Sequence, residues 1–274
     1  MSAHDEQWRA RVVADSLAPS GSRVTTIEAR IHRFVLAELN THRAFSRNSA
    51  SSRAVPVAKM IRSVETDPAL PEEFGTARAG MQAGPPIEND MEALTAWLAA
   101  RDAAVAAARQ LADLGVHKQV TNRLLEPFQW HTVIVTATDW DGFWQQRCSE
   151  LAQPEIRVAA QAMRTAYDAS TPASVGEGGW HLPYLQPDEG GLDIEVAKRV
   201  CAARCARVSY LTHDGTRSID EDLVLYDRLV TATPPHASPL EHVATPSRSG
   251  NDPVGNLRGW VQLRHLVLVQ PSGE

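Results

Sequence analysis

The sequence predicts an α/β protein with a mixed sheet at its core and long helices around it. Two segments, "SRVTTIEARIHRF" and "WHTVIVTAT", are rich in β-branched residues; the first alternates as a strand does, and the second is apolar enough for a buried strand. A third, "IENDMEALTAWLAARDAAVAAARQLADLGV", has acidic residues at its start, Ala and Leu throughout and Gly115 at its end, the marks of a long helix.

In chain order, Asp5 to Ser16 has helical apolar spacing and is expected to be a helix, with the strand "SRVTTIEARIHRF" after it. "FVLAELNTHR" reads as a helix ending near Asn40, and the polar stretch beyond it as a loop leaving the helix C-terminus. "VPVAKMIRSV" begins another helix with Pro56 in its first turn. Pro68 to Pro86, rich in Pro, Gly and Ala, is expected to be irregular, a candidate mobile flap. After the long helix, "HKQVTNRLLEPF" is a short helix stopped by Pro127, followed by the buried strand. Asp139 is the expected cap of a helix through "WDGFWQQRCSE", and "QPEIRVAAQAMRTAYDA" has Pro154 and Glu155 as helix starters. "STPASVGEGGWHLPYLQPDEGG" is a loop, "DIEVAKRVCAARCARVSYL" and "SIDEDLVLYDRLV" are helices, and "TPPHASPLEHVATPSRSGNDP" is a second loop. "LRGWVQLRHLVLV" closes the chain with a mixed pattern.

The 274 residues suffice to bury a core, and 43% apolar with 22% charged residues excludes disorder, collagen and coiled coil. A net charge of −6 argues against an extended nucleic-acid surface while leaving room for a local basic pocket around a small phosphate. The N-terminus shows no apolar segment behind a basic one and no run of about 18 apolar residues occurs, so a cytoplasmic location without a membrane partner is expected. Cys148, Cys201 and Cys205 form no Cys-x-x-Cys unit. Cys201 and Cys205 lie one helical turn apart and read as buried structural thiols rather than ligands, and no metal site is expected.

One stretch stands apart. "ELNTHRAFSRNSASSRAVP" sets Arg43, Arg47 and Arg53 among the hydroxyls of Thr41, Ser46, Ser49, Ser51 and Ser52 and the amides of Asn40 and Asn48. Guanidinium forks and hydroxyls at this density suit phosphate oxygens. An exposed basic loop would explain the arginines, but not the hydroxyl and amide residues packed between them.

The pattern His42-Arg43-x-x-Ser46-x-Asn48-x-x-Ser51-x-Arg53 resembles the signature of the flavin-dependent thymidylate synthases (ThyX), Arg-His-Arg-x-x-Ser with a downstream Asn, Ser and Arg. "RCSELAQPEIRVAA" resembles that family's Arg…Ala-Gln-x-Glu-Ile-Arg segment, and "LLEPFQW" resembles the aromatic stretch before it. "AARCARVSYL" resembles the family's N-terminal Ala-Arg-Val-Ser segment and "HASPLEHV" its His-x-Thr-Pro-Phe-Glu-His segment, yet both stand near the C-terminus here. The resemblance therefore implies a circularly permuted ThyX-like fold, with Thr25 to Arg43 continuing what "HASPLEHV" begins. Termini that lie close together on a domain surface make such a rearrangement physically permissible. It implies one catalytic domain over residues 1–274, with Glu65 to Gly115 and the loop around Trp180 unmatched.

The activity so implied is reductive methylation of C5 of dUMP, with methylenetetrahydrofolate as carbon donor and FAD reduced by NADPH, and without a cysteine nucleophile. Position by position, the resemblance assigns Ser51, Ser52 and Arg53 to the nucleotide and its phosphate, and Arg157 to the uracil ring, where a guanidinium would stabilise charge developing at the carbonyls. Ser51 and Arg157 are then the catalytic candidates. His42, Arg43, Arg147, Ser209, Ser238 and Glu241 match flavin-contacting positions, and a homotetramer with FAD between subunits is implied. On the residues alone, Arg157 equally fits a surface helix arginine, and Ser209 and Ser238 fit helix or turn caps.

The departures bear on the substrate. The first Arg of the signature is Thr41, the Glu after Asn is Ser49, the upstream Gln is Glu38, and the Arg of the aromatic stretch is replaced near Trp130. Glu38 can accept from ribose hydroxyls and is counted with the substrate-binding residues, which makes UMP an alternative to dUMP. A nucleotide- or nucleic-acid-binding protein without turnover is the alternative from another class.

Overall fold

The computed structural model describes residues 10–208, 218–248 and 255–268. Strand β1 (Ala10–Leu17) runs antiparallel to β2 (Arg23–His32), the longest strand of a five-stranded sheet. The edge strand β3 (Ser46–Ser49) pairs antiparallel with β4 (Trp130–Ala137), which pairs antiparallel with β2, and β5 (Ala173–Ser174) joins β1 in parallel. The order β3-β4-β2-β1-β5 thus makes a mixed sheet, as expected.

Alternation along the central strands assigns each face a partner. Ile27, Ala29 and Ile31 of β2, with Val133, Val135 and Ala137 of β4, are buried together with residues of α5 (Asp141–Arg147) and α6 (Pro154–Ala169), among them Phe143, Trp144, Ile156 and Met163. On the opposite face Ile134 is buried with Tyr184, Cys205 and Val208 from the C-terminal third, where α7 (Ile194–Arg207) packs on α8 (Ile219–Thr231). The same face carries a buried polar chain. Thr26 and Thr136, cross-strand partners, share a hydrogen bond of 2.6 Å. Thr26 also bonds His181 Nε2 at 2.8 Å, Ser16 bonds His181 Nδ1 at 2.8 Å, and Thr136 bonds His242 Nδ1 at 2.8 Å. Burial lowers both histidines to about 3, so the chain runs between neutral groups.

A second layer covers one end of the sheet. Helix α2 (Val57–Thr66), the 24-residue α3 (Asp90–Asp113) and the 3-10 turn Asn122–Phe128 enclose Met60, Val64, Val105, Leu125 and Phe128. Asn89 caps α3 by accepting from the Glu92 amide, and Gly115 follows it at φ 75, the left-handed conformation that favours glycine after a helix. The short helix α4 (Lys118–Thr121) comes next.

Several expectations are corrected. Ala10–Leu17 is a strand, not part of a helix: Val12 and Val13 suit a pleated surface, and pairing with β2 outweighs the local spacing. Asp139 does not cap α5, whose N-cap is Trp140 without a side-chain bond; its carboxylate lies 3.9 Å from Arg258 instead. Ser46–Ser49 is a strand within the stretch read as a loop. Residues 68–86 hold no helix or strand, as expected, and within them a finger is closed by hydrogen bonds, with Thr76 N–H on Pro85 O at 2.8 Å and Gly84 N–H on Thr76 O at 2.8 Å. The second C-terminal loop contains the 3-10 turn Ser238–Glu241 and β6 (Ala244–Pro246), which pairs with β7 (Trp260–Gln262) before α9 (Leu263–Val267).

Candidate functional site

The three arginines of the polar stretch have different fates. Helix α1 (Leu36–Asn40) ends just before it, where carbonyls of the last turn and the following residues face side-chain donors as well as the backbone N–H groups of His42 and Phe45. The Arg47 guanidinium takes them up, donating through Nη1 to Leu39 O at 3.3 Å, Asn40 O at 2.9 Å and His42 O at 3.1 Å. Arg47 is therefore a structural cation. Arg43 and Arg53 are exposed, and neither has an ion pair or side-chain hydrogen bond among the described residues.

Strand alternation buries Ser46 and Asn48. Ser46 Oγ accepts from Gln262 Nε2 at 2.8 Å, and Asn48 Nδ2 donates to Cys205 O at 3.2 Å. Gln262 Nε2 also donates to Glu241 O at 2.8 Å. Sequence-distant segments thus close on the signature strand within one chain.

His42 stacks on Phe45 with ring centroids 5.6 Å apart and accepts from Arg147 Nε at 3.0 Å through Nε2. Burial, with Arg147 and Arg47 close by, lowers its pKa to about 4, so the ring is neutral and its proton sits on Nδ1. Arg147 is further held by Glu38 O at 3.2 Å and Thr41 Oγ1 at 3.0 Å. Thr41, where the family has Arg, thus serves as an acceptor for Arg147.

Between the polar stretch and Ala206 of α7, Leu229 of α8 and Ser238, a cleft of about 420 Å³ opens, within the usual size range of small-molecule sites; His42, Arg43 and Arg147 do not line it. Ser51 and Arg53 lie in its wall, and so does Ser238 from the displaced segment. Asn48, His117, Gln119 and His236 complete its polar lining, and among the described residues no carboxylate takes part. Of these, His117, Gln119 and His236 were not singled out from the sequence. The legible signal for two of them was "HKQ" immediately after the end of α3, where a chain reversal brings side chains back over the sheet edge.

Other assigned residues lie elsewhere. Ser52 is buried, and its hydroxyl donates to Glu126 Oε1 at 2.5 Å, on the far side of the turn from Arg53. Arg157 donates to Glu150 O at 3.2 Å, and Glu241 pairs with Arg264; neither lines the cleft. Glu38 Oε2 is buried without a hydrogen-bond partner. Ser209 falls outside the described residues. Burial raises the Cys201 thiol to about 12 and Cys205 well above the ordinary value, which leaves both inert. Among the described residues no group of three or more His, Cys, Asp or Glu side chains converges as a metal site, and no helix is long and apolar enough to cross a membrane.

Two solved structures are similar to this chain: the UMP/dUMP methylase PolB from Streptomyces cacaoi bound with 5-Br dUMP, and the same methylase bound with 5-Br UMP. The first shows 14% identity over 58% of this chain and 89% of that one, with a TM-score of 0.46. The second shows 16% identity over 58% and 88%, with a TM-score of 0.42. No curated protein matches the sequence. Residues 22–173 match the family model of thymidylate synthase complementing protein, from the turn before β2 through the signature stretch to the Ala-Gln-x-Glu-Ile-Arg segment and β5. Since that match takes in more than half of the sequence, the chain belongs to the thymidylate synthase complementing protein family, the ThyX proteins.

Proposed function

We propose that the cleft at Ser51 and Arg53 binds a uridine nucleotide and that the protein is a flavin-dependent methyltransferase acting on C5 of its base. Methylenetetrahydrofolate would supply the carbon and NADPH the reducing equivalents. The observation that carries this reading is the charge of the cleft: in a chain of net charge −6, its lining holds, among the described residues, an unpaired arginine and hydroxyls and no carboxylate. Such a donor set selects an anion.

The residues also fit a flavin dinucleotide. Among the described residues, Arg43 offers an uncommitted guanidinium next in sequence to His42, and Ser238 an uncommitted hydroxyl at the cleft. His42, Arg43, Arg147, Ser238 and Glu241 would hold it together with Ser209, and once bound it would supply hydride transfer. The remaining work belongs to the chain. Arg53 and Ser51 hold the phosphate. Neutral His42, fixed by Arg147, presents a single Nδ1–H donor. Arg157, outside the cleft of its own protomer, would reach the base at O2 from a second protomer of a homotetramer and stabilise charge there as C5 becomes nucleophilic. In the net reaction C5 exchanges its hydrogen for the folate's one-carbon unit, a hydride completes the methyl group, and tetrahydrofolate leaves.

Glu38, an acceptor suited to a ribose hydroxyl, does not line this cleft, and for UMP as substrate it would reach the ribose from a second protomer, as Arg157 would reach the base. Mass analysis of products from dUMP and UMP, with FAD, NADPH and methylenetetrahydrofolate, tests both. Methylated nucleotide and a flavin spectrum are expected. A protein that takes up no FAD and methylates neither nucleotide would overturn the reading.

A further inference from the structure

Resting on the nucleotide reading of the cleft, we propose that Asn48 and His117 read the edge of the base, one as acceptor and one as donor, and select uracil over cytosine. The fold fixes the polarity of both. Asn48 lines the cleft while only 7% exposed, and its Nδ2 is committed to Cys205 O at 3.2 Å. Only the NH₂ end of an amide can donate to a carbonyl, so the other branch, Oδ1, is the acceptor left for a ligand. Among the described residues it has no protein donor.

His117 lines the same cleft from an exposed position. It precedes α4, and its Nδ1 accepts from the Gln119 backbone N–H at 3.2 Å. An imidazole that accepts at Nδ1 carries its proton on Nε2, so the ring offers the cleft a donor. An acceptor and a donor of fixed identity complement an edge that presents a donor beside an acceptor.

Uracil is such an edge: N3–H donates and the adjacent O4 accepts. Cytosine reverses it, with N3 accepting and the N4 amino group donating. A cytosine seated in the same way would set acceptor against acceptor at Asn48 and donor against donor at His117. A site built to hydrogen-bond its ligand rejects the mismatched analogue, because the buried Asn48 amide oxygen would then face another acceptor and be left unpaired. The O2 atom stays free for Arg157.

The test is equilibrium binding of UMP, CMP and N3-methyl-UMP to the full chain with FAD present. UMP is expected to bind roughly tenfold or more tightly than CMP and than N3-methyl-UMP, which lacks the donor that Asn48 would accept. His117→Ala should weaken UMP and leave CMP unchanged; because that variant also loses a helix cap, the analogue series on the unmodified protein stands as the independent measurement. Affinities for UMP and CMP within about threefold of one another, or N3-methyl-UMP binding as UMP does, would overturn the edge-reading assignment alone. If none of the three binds, the nucleotide reading of the cleft fails and this assignment with it.

Discussion

Gln262 donates to Ser46 Oγ at 2.8 Å across a separation of 216 residues. With its second bond to Glu241 O, this one amide fastens the C-terminal segment to the first residue of the signature strand. It is 2% exposed, so its bonds are made out of reach of water. Gln262→Ala should therefore destabilise the protein by about 2–4 kcal/mol, combining two lost hydrogen bonds with a cavity. Urea unfolding measures this, and an unchanged midpoint would show that the segment is held by other contacts.

Arg47 and Arg53, six residues apart, should respond oppositely to alanine. Arg47→Ala strips three carbonyls of their shared donor and should cost about 1–3 kcal/mol of stability. Arg53→Ala should leave the unfolding midpoint in place and raise the nucleotide KM roughly 30-fold or more. Steady-state kinetics beside thermal unfolding separates the two, and equal effects of both variants on KM would contradict the distinction.

The adjacent serines divide in the same manner. Ser52→Ala removes a buried bond to Glu126 and should lower stability by about 1–2 kcal/mol with little change in ligand affinity. Ser51→Ala should weaken nucleotide binding and spare stability, since among the described residues the Ser51 hydroxyl has no side-chain bond to lose. Calorimetric titration with UMP and dUMP on each variant decides it.

Acid should unfold the protein early. Burial lowers His131, His181 and His242 from 6.5 to about 3. The unfolded chain therefore takes up protons near pH 6.5 that the folded chain refuses until about pH 3. Stability falls as pH drops through that window, by ~1.4 kcal/mol per unit for each histidine charged only when unfolded. His42, lowered to about 4, acts in the same direction. Urea midpoints measured between about pH 7 and 5 should decline steadily, and a flat profile would mean that these rings are hydrated in solution.

The sequence by itself determined the elements whose composition admits one period: the strands β2 and β4, the helices α3, α6, α7 and α8, and the polar signature between Glu38 and Arg53. It also determined the family, because the signature and the Ala-Gln-x-Glu-Ile-Arg segment are local patterns of residue type. Ala10–Leu17 escaped that reading, since its spacing suits a helix and only pairing with β2 makes it a strand. Tertiary structure alone decided what each signature side chain does. Arg47 and Arg53 are the same residue type in the same stretch, but one lies within reach of the carbonyls at the end of α1 and the other faces a cleft in which no described residue is a carboxylate. His117 and Gln119 come to that cleft only because the chain turns back after α3, and Ser238 only because β3 and the C-terminal segment pack together. A local pattern specifies period and chemistry; which atoms come within hydrogen-bond distance is set by how the elements pack.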